Sequence, residues 1–126
     1  MTSAYKTAVF EIEDNLPEQF VIITAYNPRG LSAPMSRNLH QDATLQSVLL
    51  HQGVRPIRVI GRNLENTHRE PGWGVELPLD QALEIAKIFK QDAIFEVISN
   101  QLILHSCEDS EPIELGKWDT RIVDEA

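Results

Sequence analysis

The residues best placed to do chemistry are concentrated in one short stretch, Thr24-Ala25-Tyr26-Asn27-Pro28-Arg29-Gly30, followed by Ser32, Ser36, Arg37 and Asn38. An apolar, β-branched run ends here and a helical pattern begins a few residues later. A helix start with its outward N–H groups, a nearby guanidinium and small hydroxyls together make an anion cradle. The chemistry implied is the holding of a small anionic or nucleotide-like ligand, with Thr24, Asn27, Arg29 and Asn38 as binding candidates. The spacing matches neither GxxxxGK[ST] nor GxGxxG, so the stretch is not one of the standard phosphate loops. The competing reading is structural, a turn in which Asn27 bonds to its own backbone.

A second set lies in Arg62–Gly74, RNLENTHREPGWG. His68 stands two residues from Glu70, and an imidazole next to a carboxylate has the composition of a general base and its orienter. These two are the catalytic candidates, for a small hydrolase or transferase, and whether the chain is an enzyme stays open. Two exposed polar residues would look the same. The other histidines, His40, His51 and His105, form no HExxH motif, so no metal site is expected, and no motif points to a cofactor. Cys107 is the one cysteine of the chain; it excludes an internal disulfide and a CxxC metal knuckle. Gln91 follows the second helical pattern, either as a polar cap at the surface or as a group reaching toward the first helix.

The elements that must position these groups follow from periodicity. Tyr5–Ile12 alternates loosely and predicts a strand, and Phe20–Tyr26 predicts a central one. Asn27-Pro28-Arg29-Gly30 is turn chemistry. Ser32 is the expected N-cap of a helix carrying Met35, Leu39, Leu45, Val48 and Leu49 and stopped by Gly53. Asn38, Asp42, Leu45 and Leu49 share much of one of its faces, which puts Asn38 at the core edge. Val54–Gly61 predicts a strand, with Pro56 at its start or on a sheet edge. Arg62–Gly74 reads as a long loop, with Trp73 as its anchor, and Val75–Leu77 as a short strand. Asp80 is the expected cap of an amphipathic helix, Gln81–Lys90, with Ala82, Leu83, Ala86 and Phe89 inward. Ala93–Ile98 and Gln101–Ser106 form a hairpin across Ser99-Asn100. The order β-β-α-β-β-α-β-β predicts an α+β fold, a mainly antiparallel sheet with two helices packed on one face. The other face then needs a cover, from the C-terminal segment or a second subunit.

The chain of 126 residues suits one small domain, expected over residues 1–107, with 108–126 as an acidic C-terminal extension. Net charge is −8, and of this −5 falls in residues 108–126, where Ile113, Leu115, Trp118 and Ile122 offer a means of docking. The middle is the opposite: Arg29, Arg37, Arg55, Arg58, Arg62 and Arg69 face only Asp42 and Glu65 between positions 29 and 69. Such a segment can form a cationic patch that attracts a small anion, or six solvated arginines. Long duplex nucleic acid is disfavoured by the global charge. No run approaches the ~18 apolar residues of a membrane span, and the N-terminus lacks the pattern of a signal peptide, so a cytoplasmic protein is expected. A homo-oligomer or another protein partner without catalysis is the alternative to the ligand reading.

The ordered set TAYNP at Thr24–Pro28, the helix residue Asn38, Gly53, and Phe89 followed by Gln91-Asp92-Ala93-Ile94 resembles a small bacterial family, the domain-of-unknown-function family numbered 3293. The resemblance runs from about Tyr5 to Leu104. It implies that Thr24, Asn27, Pro28, Asn38 and Gln91 recur together, which adds Gln91 to the binding candidates. Lys90 stands where that family commonly has glycine. The resemblance implies no activity.

Overall fold

A computed structural model describes residues 3–108 and 111–124. Positions 109–110 and 125–126 of the expected extension lie outside the described residues. Ser3–Thr7 form a 3-10 turn, so the first strand is shorter than the alternation suggests: β1 is Val9–Ile12. Next come β2 (Phe20–Thr24), α1 (Met35–His51), β3 (Ile57–Arg62), β4 (Arg69–Val75), α2 (Leu79–Ile88), β5 (Ala93–Ile98), β6 (Gln101–Ser106) and β7 (Ile113–Lys117). The class is α+β. All seven described strands belong to one sheet in the order β1-β3-β4-β2-β5-β6-β7, and every neighbouring pair is antiparallel.

The two faces of the sheet are both apolar, and each has its own cover. On one face, Val21, Ile23, Trp73, Val75 and Ile94 pack against Leu45 and Leu49 of α1 and Ala82, Ile85, Ala86 of α2. On the other, Phe10, Phe20, Ile22, Val59, Val97 and Leu102 meet Trp118, from the 3-10 turn Trp118–Arg121 that follows β7. The Trp118 ring lies 5.0 Å from Phe10 and 5.4 Å from Phe20, centroid to centroid. The sheet curls far enough that its two ends are tied. Phe10 and Ile122 form a parallel bridge, the Val123 N–H donates to the Phe10 carbonyl at 2.9 Å, and Arg121 donates to the carbonyls of Ala8 and Leu115. The segment after β7 thus supplies the cover that the second face needs.

Three local expectations are corrected. The Arg62–Gly74 stretch is largely strand, with only 63–68 as a turn between β3 and β4. Its glycines are required by close approach rather than by flexibility: a Cβ on Gly72 would sit 2.7 Å from the Ile23 carbonyl oxygen, and one on Gly74 2.7 Å from Leu16. Both helices start behind a proline, with Pro34 and Pro78 at the N-cap in place of Ser32 and Asp80, and neither has a side-chain cap. Asp80 instead sits in the first turn of α2, where its charge suits the helix dipole. Met35 and Leu39 are 60% and 55% exposed, because Asn38, Asp42, Leu45 and Leu49 occupy the inward face of α1.

Candidate functional site

The loop between β2 and α1 is held by two linked groups of hydrogen bonds. Asn38, 3% exposed in the first turns of α1, accepts from the Asn27 N–H at 3.0 Å and donates through Nδ2 to Asn27 Oδ1 at 3.0 Å. Asn27 Oδ1 also accepts from the Ala33 N–H at 3.1 Å. On the other side, Thr24 donates through Oγ1 to Gln91 Oε1 at 2.9 Å, and Gln91 Nε2 donates to the carbonyls of Tyr26 and Phe89. The Arg29 N–H donates to the Lys90 carbonyl at 2.8 Å, which closes the loop onto the end of α2. Thr24, Asn27, Asn38 and Gln91 are therefore brought together, with their amides bonded to one another and to backbone. They set the shape of the loop.

That shape is unusual. Asn27 (φ 47°), Arg29 (φ 59°) and Lys90 (φ 58°) all lie in the left-handed region without being glycine. Each L residue held there costs roughly 1–2 kcal/mol, Asn somewhat less, and it persists because the surrounding hydrogen bonds over-determine it. Lys90 thus adopts a conformation that glycine reaches without the Cβ penalty. The consequence for chemistry is that Arg29 projects outward from a fixed backbone, and its side chain is exposed.

The six arginines of the middle segment separate into two groups. Arg58 forms a two-pronged pair with Asp42 of α1 at 2.9 and 2.7 Å, and its guanidinium carbon lies 3.7 Å above the Trp73 ring. Arg62 and Arg69 converge on Glu11, at 2.6 Å and at 2.7 and 3.0 Å. Glu11 is 2% exposed, and the hydrogen bonds from Arg69, then Arg62, hold its carboxyl below the usual carboxylate range against the opposing effect of burial. Arg55 pairs with Asp14 at the surface. Among the described residues, Arg29 and Arg37 make no side-chain hydrogen bond or ion pair, and both are exposed. The continuous cationic patch is thereby reduced to two arginines flanking Asn38 and its loop.

The catalytic candidates stand at the same end of the sheet. Thr24 pairs with Gly72 across antiparallel strands, so Glu70 lies two residues beyond it, past the end of β2. His68 Nε2 is 3.1 Å from Glu70 Oε2, with the imidazole 61% and the carboxylate 30% exposed. Tyr5 belongs to this neighbourhood too: burial first, then the charges of Glu70, Asp92 and Cys107, push its hydroxyl up to about 12. Burial likewise pushes the Cys107 thiol up, away from nucleophile character. No group of three His, Cys, Asp or Glu among the described residues is arranged to hold a metal ion, and no described helix is long and apolar enough to cross a membrane. Two open depressions, about 370 and about 560 Å³, lie at the opposite end, around Asn15, Leu16 and Pro17.

Reading charge along the sequence missed the Glu11 cluster entirely. Its residues are 51 and 58 positions apart, and a single Glu in an alternating strand carries no sign of its partners. The His105–Glu96 pair, 2.7 Å apart across the β5–β6 hairpin, was likewise not legible before the register was known.

Fold and site define a small α+β protein built on a curled antiparallel sheet, with one hydrogen-bonded loop at the end of its central strand. The family model described as protein of unknown function (DUF3293) matches residues 23–94, more than half of the chain, and the chain belongs to that family. The match begins one residue before Thr24 and ends just after Gln91, so it contains the whole network. No curated protein and no solved structure matches the chain.

Proposed function

We propose that this protein binds a small anionic ligand, of the phosphate or nucleotide kind, at the loop between β2 and α1. The observation that carries the reading is the separation of the arginines. Four of the six have a carboxylate partner, while Arg29 and Arg37 have none among the described residues and flank the loop that Asn27 and Asn38 fix. Arg29 and Arg37 are the contact groups; Thr24, Asn27, Asn38 and Gln91 are positioning residues. The first turn of α1 supports the reading, since it has no side-chain cap and no acidic residue. A helix end of that composition favours an anion nearby.

A second reading, hydrolysis or group transfer with His68 as general base oriented by Glu70, is favoured by the 3.1 Å contact between them at the same end of the sheet. A thermal-shift panel of inorganic phosphate, nucleotides, sugar phosphates and small carboxylates tests the first reading. A bound ligand raises the melting temperature by mass action. The expected result is a rise in the native protein that is lost in Arg29→Gln, with the variant still folded. No rise with any of the anions, or an equal rise in Arg29→Gln, would overturn it. Turnover of a bound ligand that disappears in His68→Gln would establish the second reading.

A further inference from the structure

The loop between β2 and α1 rests on the end of α2, and the way α2 ends decides what stands beside Arg29. The Lys90 N–H donates to the Lys87 carbonyl and the Gln91 N–H to the Ala86 carbonyl, both at 3.0 Å. This pair of bonds closes a helix through one left-handed residue, most often glycine. Here that residue is Lys90, at φ 58°. The motif places Gln91 for its bonds to Thr24 and the Tyr26 carbonyl, and it places the Lys90 carbonyl to accept from the Arg29 N–H at 2.8 Å. Arg29 is left-handed as well, at φ 59°. Two cationic residues are thus locked backbone to backbone, each in a conformation that a Cβ disfavours. Both are exposed, and neither side chain has a hydrogen bond or an ion pair among the described residues.

Charge shows what the lysine adds. The charges of Lys87, Asp92, Arg29 and Glu108 all reach the Cys107 thiol, two of each sign in one neighbourhood. A carboxylate oxygen of Asp92 lies 3.8 Å from where a Cβ on Gly30 would sit. The pull of Arg29 on an anion is therefore partly offset by the carboxylates around it. Lys90 and Arg37 carry the excess, two positive charges that no described carboxylate pairs. We propose, on the strength of the anion reading of this loop, that Lys90 is its third contact group and makes the site select a doubly charged phosphate, a phosphomonoester, over a singly charged phosphodiester. The backbone supports the assignment. Glycine would close the same motif without the Cβ penalty, so the lysine stands there against the local preference. A lysine at a helix C-terminus also suits the dipole, but Lys87 already occupies the last turn of α2.

Methyl phosphate and dimethyl phosphate are the probes, because they differ by one charge. At about pH 8, above a second phosphate ionisation of ~6, the first carries two charges and the second one. Each is titrated by NMR into the native protein, Lys90→Gly, Lys90→Gln, Lys90→Arg and Arg29→Gln. The native protein is expected to bind methyl phosphate about tenfold more tightly than dimethyl phosphate, as one more charge-assisted contact allows. Lys90→Arg keeps that preference, and Lys90→Gly and Lys90→Gln lose most of it. Without ligand, Lys90→Gly melts no lower than the native protein, which separates loss of a contact from loss of the fold. Equal binding of the two esters by the native protein, or a preference unchanged in both neutral variants, would overturn the role of Lys90. If binding is still lost in Arg29→Gln, the anion reading survives that result. Binding of neither ester overturns both.

Discussion

Two regions of the molecule use arginine in opposite ways. Under the β1, β3 and β4 strands, Glu11 is enclosed by Arg62 and Arg69, and every prong of the contact is 3.0 Å or shorter. At the β2–α1 loop, two amides bond to each other and leave Arg29 and Arg37 exposed to solvent. In the first region charge is consumed by structure, and in the second neutral groups do the structural work and the charge stays exposed to solvent. Positive charge counted along the chain therefore overstates the positive charge left unpaired at the surface.

The largest expected effect of breaking this contrast is at Glu11. Glu11→Gln leaves the buried Arg62 guanidinium without its counter-charge, and removing one partner of a buried pair costs about 3–5 kcal/mol. Urea unfolding measures it as a lower midpoint with the same slope. Asn38→Ala removes the acceptor for the Asn27 N–H and the donor to Asn27 Oδ1, at a cost of about 1–3 kcal/mol. Hydrogen exchange at residues 27–33 rises with it, because the loop loses its anchor.

Acid gives a third contrast. The Glu11 carboxyl lies below its ordinary value of 4.5 in the folded protein, chiefly through Arg69. A depressed carboxyl contributes stability that is full above the unfolded value and is lost as pH falls through the folded one. Stability of the native protein therefore falls away below about pH 4.5, and Glu11→Gln, already weaker at neutral pH, has a shallower decline over the same range. The smallest effect is at the exposed arginines. Arg37→Gln changes stability by less than about 0.5 kcal/mol, as surface substitutions do, and Arg29→Gln behaves alike because glutamine meets the same left-handed backbone.

What the sequence revealed and what it concealed follow the same division. Elements whose cause is local were legible: β2 from its β-branched run, the second helix, expected over Gln81–Lys90 and found over Leu79–Ile88, from its apolar stripe, and the hairpin from Ser99-Asn100, whose φ values of 49° and 63° are those of a tight hairpin turn. Asn38 was placed at the core edge by helical spacing alone, and it is buried there. β4 was concealed because Pro71, Gly72 and Gly74 read as breakers, although the two glycines answer to Ile23, Thr24 and Leu16, which lie far away in sequence. The exposure of Met35 and Leu39 was concealed for a related reason. Asn38 and Asp42 take inward positions because Asn27 and Arg58, distant in sequence, satisfy them. Thr24 stood out in the local stretch and Gln91 through the family resemblance, while their contact at 2.9 Å came only with the fold.

The most direct test of the account is a two-dimensional NMR titration of the native protein with inorganic phosphate, followed at both backbone amides and arginine Nε–H groups. The expected perturbations concentrate at residues 27–38, with the side chains of Arg29 and Arg37 responding and those of Arg58 and Arg62 still. Perturbation centred on Arg58, Arg62 or Arg69, or none at millimolar phosphate, would contradict it.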